Sequence, residues 1–272
     1  LGPILEEFKQ RKAEFTKELF DLYRDALAAK KEIHCSTQPH TRITVQGGIG
    51  TSQENRFLLR HYQLDATGWG TPFLLVPEVT SVDTDTLEKL TNADEKTLYL
   101  SNTSPLGAPI YSLRDSASEE TRLKRIKSGK PGSPCINKFM AFNTEFSDVP
   151  ICTASSQYQT KKIEELKQKG FSREEYSREY EKIVEKACIC HDLGDGALLK
   201  YNIPYKGFEP FPAVCPGPNL IYFSRVFSLK EMADHIYGKI NILNQNRPRP
   251  HVFINELRLY IKNINMLFEG SY

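Results

Sequence analysis

Five cysteines of this chain stand where the backbone is held in a special shape, beside turn residues or at helix ends. They are Cys135 (after Ser133-Pro134), Cys152 (after Pro150-Ile151), Cys188 and Cys190 (in Cys188-Ile189-Cys190-His191) and Cys215 (before Pro216-Gly217-Pro218); the sixth is Cys35. A C-x-C pair presents two thiols from one short segment, and proline next to cysteine is a frequent companion of iron–sulfur ligands. Four thiolates drawn from Cys135, Cys152, Cys188, Cys190 and Cys215 suit a [4Fe–4S] cluster or a zinc ion. Their spacing follows neither a C-x2-C pattern nor a ferredoxin series. The competing reading is of free thiols used as small hydrophobes in a reducing compartment. His191 is a further donor beside the C-x-C pair. Asp192, Asp195 and Gly196 read as a turn, since the alternating oxygen ligands of a calcium loop are missing.

A second kind of chemistry is written in glycines. Residues 43–78 read as strand, glycine turn, helix, strand, glycine turn. The first turn is Gly47-Gly48-Ile49-Gly50 and the second Gly68-Trp69-Gly70-Thr71. Ser52 is placed to cap the intervening helix, whose apolar side is Phe57, Leu58, Leu59 and Tyr62. Glycine lets backbone approach an anion, and a helix N-terminus aims free N–H groups at it, so two such turns suit a phosphate. His34 and His40 precede the first strand. Glu78, just past the second turn, is expected to hold loop N–H groups.

These residues resemble the last two βα units of a flavin-binding (β/α)8 barrel. Nitronate monooxygenases and the flavin-dependent enoyl-acyl-carrier-protein reductases carry a similar GGI turn and a similar G-T-x-F-L-x-x-x-E run, here Gly70-Thr71-Pro72-Phe73-Leu74 through Glu78. Trp69 departs from the smaller residue usual there. The resemblance implies an α/β fold in which residues 1–78 are the C-terminal part of a TIM-type barrel, followed by a cysteine-containing region over 79–272. It also implies FMN, its phosphate held at Gly47, Gly48, Gly50, Gly70 and Thr71, and oxidoreductase or monooxygenase chemistry on a small molecule, with His34 or His40 near the strand end to deliver a proton to that substrate. The six earlier strands would come from an upstream segment, since a closed barrel needs about 250 residues.

The elements that must position these groups follow from periodicity. Residues 1–31 read as one long helix with an apolar side through Leu5, Phe8, Phe15, Leu19 and Leu22. Further helices are expected over 84–93, with Leu87 and Leu90 inward, over 157–188 with a break at Gly170, over 228–243 and over 252–268. Residues 97–101 read as a strand, and 115–134 as a polar loop or short helix whose basic run is a solvated face. Ser172 and Glu175 form a capping-box signature. The segment 189–227 is rich in glycine, proline and aromatics, with short apolar runs at Ala197-Leu198-Leu199 and Leu220-Ile221-Tyr222-Phe223.

Composition narrows the function classes. The chain is 272 residues long with a formal charge of +2, which gives no electrostatic reason to expect nucleic acid or an acidic membrane as a partner. No apolar run reaches the ~20 residues that span a bilayer. The cytoplasm is the expected compartment. The alternative to a flavin enzyme is a non-catalytic interaction module stabilised by a metal or iron–sulfur cluster.

Overall fold

The computed structural model describes residues 1–31, 36–205, 207 and 209–269; His34 and Cys35 fall outside this set. In chain order the elements are α1 (Gly2–Lys31), β1 (Thr44–Gln46), α2 (Ser52–His61), β2 (Ala66–Gly68), α3 (Thr84–Thr91), β3 (Leu98–Ser101), β4 (Ile110–Leu113), α4 (Ala117–Lys127), α5 (Ser156–Gln168), α6 (Arg173–Val184), α7 (Ile189–Lys200), α8 (Leu229–Ile236) and α9 (Val252–Glu269). Short 3-10 turns occupy Thr71–Leu75 and Pro218–Tyr222. The fold is mixed α/β, and among the described residues no helix is long and apolar enough to cross a membrane. The chain packs as two compact units, one of residues 1–72 with 230–272 and one of residues 73–229. The first unit therefore takes in the last 43 residues of the chain, which a single cut at residue 78 assigns to the second.

In the first unit β1 and β2 pair in parallel, with Thr44 opposite Ala66, Val45 opposite Thr67 and Gln46 opposite Gly68. A parallel pair needs a crossover, and α2 supplies it. Its core is Leu5, Val45, Ile49, Leu58, Tyr62 and Leu64, with Leu1, Ile43, Leu59, Trp69 and Phe253 packed against it. The cap of α2 is Thr51, one residue earlier than expected: its hydroxyl accepts the Glu54 N–H at 3.1 Å while the Glu54 carboxylate accepts the Thr51 N–H at 3.2 Å. Ser52 already lies inside the helix. The first helix is not uniform, because Arg11 leaves helical geometry (φ −112°, ψ 17°). Leu5 is buried, whereas Leu19, Leu22 and Tyr23 are exposed. α8 stops well short of residue 243. Gly238, at φ +79°, turns the chain where a side chain would meet the Ser52 hydroxyl at 2.8 Å.

The second unit holds an antiparallel pair, β3 with β4, in register from Leu98–Leu113 to Ser101–Ile110. α5 and α6 form the expected broken helix, parted at Gly170 (φ +62°) and restarted by the Ser172–Glu175 capping box. Residues 117–127 take the second of the two expected forms, a helix with a loop after it. Residues 189–200 are helical too, despite Gly194 and Gly196. Gly196 has a positional reason: a Cβ there would come 2.9 Å from the Ser81 carbonyl oxygen, so glycine lets α7 press onto the 81–83 loop. Lys200, at the other end of α7, donates to the carbonyls of Pro77 (2.7 Å) and Thr80 (2.5 Å). Glu78 accepts the Leu229 N–H, the loop-holding role expected of it.

Candidate metal centre

Four of the five candidate cysteines line a single cavity of about 50 Å³ in the second unit: Cys135, Cys152, Cys188 and Cys190. They reach it on three segments, each tied down by backbone pairing. Ser133 and Ser155 form a parallel bridge, with the Ser133 N–H donating to the Ala154 carbonyl (3.1 Å) and the Ser156 N–H to the Ser133 carbonyl (3.0 Å). Asn143 and Ile151 exchange both backbone hydrogen bonds at 3.0 and 2.8 Å. These two bridges fold residues 133–155 back on themselves and bring Cys135 to Cys152. The third segment is docked by the Ala187 N–H on the Thr103 carbonyl (2.9 Å) and by Lys186 on the Asn102 carbonyl (2.6 Å). Gln159, fully buried, donates to the Lys186 carbonyl at 2.9 Å and so joins α5 to the residues leading into Cys188.

Gly132 is the hinge of the first bridge. Its φ is +79°, and a Cβ would stand 2.6 Å from the Ser156 nitrogen. Gly132→Ala is expected to lower the unfolding free energy by on the order of 1–3 kcal/mol, from left-handed strain and the forced separation of the two segments. Urea denaturation of the variant measures this; a loss below a few tenths of a kcal/mol would show that the bridge is not held as described.

The four thiols act on one another, Cys152 with Cys135 and Cys190, and Cys190 with Cys135 and Cys188. Burial pushes the Cys152 thiol up to about 11 and the Cys188 thiol up to about 12, and it raises Cys190 as well. Burial makes these sulfurs resist ionising, and a bound metal reverses that because it deprotonates its thiol ligands. Cys188 is the N-cap of α7, which puts Cys190 in the first turn, where the helix dipole favours negative charge. Cys215 is elsewhere: it is exposed and lines a separate cavity with Tyr111's neighbours Ile110 and Ser112, so it is not one of the converging four.

Three more donors share the cavity wall. His191, Asp192 and Asp195 lie on the first turns of α7, their ligand atoms all within 4.8 Å of one another. Asp192 accepts from the Ser118 hydroxyl at 2.5 Å, and burial pushes its carboxyl up to about 6 against the pull of that bond. The expectation of a turn at 192–196 fails because the segment is helical, and i, i+4 spacing puts His191 and Asp195 on one face. The basic run of α4 divides. Lys124, Lys127 and Lys130 are exposed, while Arg122 binds Glu119 and the Val184 carbonyl (2.9 Å) and Arg125 donates to Ser133 (2.7 Å). A sign in the sequence pointed to this cavity: His191-Asp192-x-x-Asp195, once read as helix, is a one-face donor set.

The glycine turns lie in the first unit. Gly47 (φ +123°) and Gly48 (φ +69°) follow β1, and Gly70 and Thr71 follow β2. Gly50 is not available to a phosphate. Its N–H donates to the Glu54 carboxylate at 2.9 Å, and its carbonyl contacts His235 Nε2 at 2.9 Å. Glu54 itself is buried and paired with Arg249 at 2.5 Å, so the N-terminus of α2 already holds an anion, the chain's own. His40 is exposed on the stretch before β1. His34 lies outside the described residues.

Against protein-family models, curated proteins and solved structures, this chain shows no match.

Proposed function

We propose that residues 73–229 form an iron–sulfur module in which Cys135, Cys152, Cys188 and Cys190 are the cluster ligands, and that the protein takes part in electron transfer. The observation that supports this is the convergence of four cysteines, from three separately anchored segments, on one cavity. Thiols used only as small hydrophobes have no reason to gather. Soft thiolates select iron–sulfur clusters or zinc over the hard cations. A single tetrahedral zinc draws its sulfurs to about 3.8 Å of one another, given Zn–S bonds of about 2.3 Å. The same four thiolates suit either centre, and iron and sulfide content tells the two apart. When bound, the cluster would supply one-electron chemistry. The chain's own residues would bring the sulfurs together, offset their negative charge with Arg122 and Arg125 on the cavity wall, and lend the N-terminal end of α7. A reducing compartment such as the cytoplasm suits such a site.

The test is elemental analysis and a visible spectrum of protein prepared without oxygen. About four iron and four sulfide per chain, with a broad visible band, are expected of a [4Fe–4S] centre. One zinc and no sulfide would replace the cluster with a zinc site, and neither metal would end the proposal.

A second reading rests on the first unit. The parallel β1–α2–β2 arrangement has a glycine turn after each strand, and at Gly47 and Gly70 nothing lies within 4 Å of where a Cβ would stand. In this reading the unit is the closing part of a (β/α)8 barrel whose other strands come from another segment. Gly47, Gly48, Gly70 and Thr71 would face the phosphate of FMN, as in a nitronate monooxygenase-like oxidoreductase acting on a small molecule. Addition of FMN to the protein should then quench flavin fluorescence saturably. Unchanged fluorescence across the titration would remove this reading and leave the cysteine module untouched.

A further inference from the structure

The geometry points to a divalent-cation site formed by His191, Asp192 and Asp195, chemically distinct from the thiols on the same cavity wall. Asp195 carries the argument. It is 1% exposed, lines the cavity, and accepts the Phe211 N–H on Oδ2 at 2.7 Å, while its Oδ1 accepts no hydrogen bond. A carboxylate oxygen buried without a donor is costly, and it persists where a cation completes it. That same Oδ1 lies 2.9 Å from His191 Nδ1. Two neighbouring ligands of an octahedral ion, each about 2.1 Å from it, stand about 3 Å apart, so the pair is already at ligand spacing.

The third member is arranged in the same way as the first. Asp192 is held on Oδ2 by the Ser118 hydroxyl, as Asp195 is held on Oδ2 by the Phe211 amide. Each carboxylate is thus oriented by one protein donor, the outer-shell support that metal-binding carboxylates have. Of the cations on the cavity wall, Arg122 is engaged with Glu119 and the Val184 carbonyl, Arg125 with Ser133 and Lys186 with the Asn102 carbonyl. One imidazole and two carboxylates suit a borderline-hard divalent ion, Mn²⁺ or Fe²⁺, better than they suit Ca²⁺, which takes oxygen alone, or Cu⁺, which takes sulfur. Three protein ligands leave open positions for water or an anionic substrate. The site does not depend on the iron–sulfur reading, since it uses none of the cysteines.

Mn²⁺ serves as the probe, because the free aqueous ion has an electron-paramagnetic-resonance signal that disappears on binding and because it does not seek thiolates. Titrated into the full chain, Mn²⁺ should saturate at about one per chain. Asp195→Asn and His191→Ala should each weaken binding by about tenfold or more, while Cys215→Ser, in a separate cavity, should leave it unchanged. Asp195→Asn keeps an oxygen for the Phe211 amide, and circular dichroism of both variants checks that they remain folded. Folded wild-type protein that takes up no Mn²⁺ overturns the proposal and makes His191–Asp195 an ordinary ion pair. Uptake unchanged in folded His191→Ala and Asp192→Asn overturns it equally. Iron and sulfide content, measured on the same samples, reports separately on the cysteine centre.

Discussion

Cys152→Ser/Cys188→Ser protein, prepared without oxygen, is expected to hold essentially no iron and no sulfide, and to lack the visible band of the parent. Cys152 is buried on the folded-back 133–155 segment and Cys188 caps α7, so the double change takes one ligand from each of two separately anchored segments. A serine hydroxyl is harder and far less acidic than a thiol, and two remaining thiolates cannot hold a cluster. Because a preformed metal site is absent from the unfolded chain, metal-binding energy is folding energy. The variant should therefore also unfold at lower urea, with the second unit affected first. Cys215→Ser is the control, and it should keep its full iron because Cys215 lines another cavity. Full iron in the double variant would refute the assignment of ligands.

Arg249→Ala should cost the first unit about 3–5 kcal/mol in urea denaturation, the range for breaking a buried ion pair from one side. Arg249 and Glu54 side chains are each 2% exposed and 2.5 Å apart. The Glu54 carboxylate also accepts the N–H groups of Gly50 (2.9 Å), Thr51 (3.2 Å) and Val252 (2.6 Å), so one anion ties the β1 turn and α2 to α9. Arg249 adds a bond from its other guanidinium nitrogen to the Gly48 carbonyl at 2.6 Å. Removing the guanidinium strands a buried charge. Arg249→Met combined with Glu54→Gln removes the charge along with its partner and should lose less than the two single changes summed. A change below 1 kcal/mol for Arg249→Ala would mean that water reaches the pair.

Periodicity made α3, α5, α6 and α9 legible, because their apolar residues recur at helical spacing and their caps are local. The Ser172–Glu175 box is an example: donor and acceptor lie three residues apart, and nothing distant is needed to predict it. The helix α7 was hidden because Gly194 and Gly196 argue against helix, and the reason for Gly196 is a loop more than a hundred positions earlier. The cysteines were recognised as candidates, but which four converge depends on the 133–155 bridges, whose pairing no short pattern encodes. For the same reason Cys215 could not be set apart in advance. The glycine turn was found correctly as a turn; that Glu54 fills its anion-binding end depends on Arg249 and Val252, far along the chain. Local signals gave the elements, and long-range pairing decided the sites.

The discontinuity of the first unit has a consequence during synthesis. Glu54 leaves the ribosome 195 residues ahead of Arg249, a delay of roughly 10–40 s at ordinary elongation rates. Throughout that interval the carboxylate has no guanidinium to meet and stays in water, so the N-terminal unit remains open. Residues 73–229 are contiguous and can close as soon as they emerge. The nascent chain thus completes residues 73–229 before the unit that flanks them, and residues 1–72 are the ones left exposed to chaperones until Arg249 emerges.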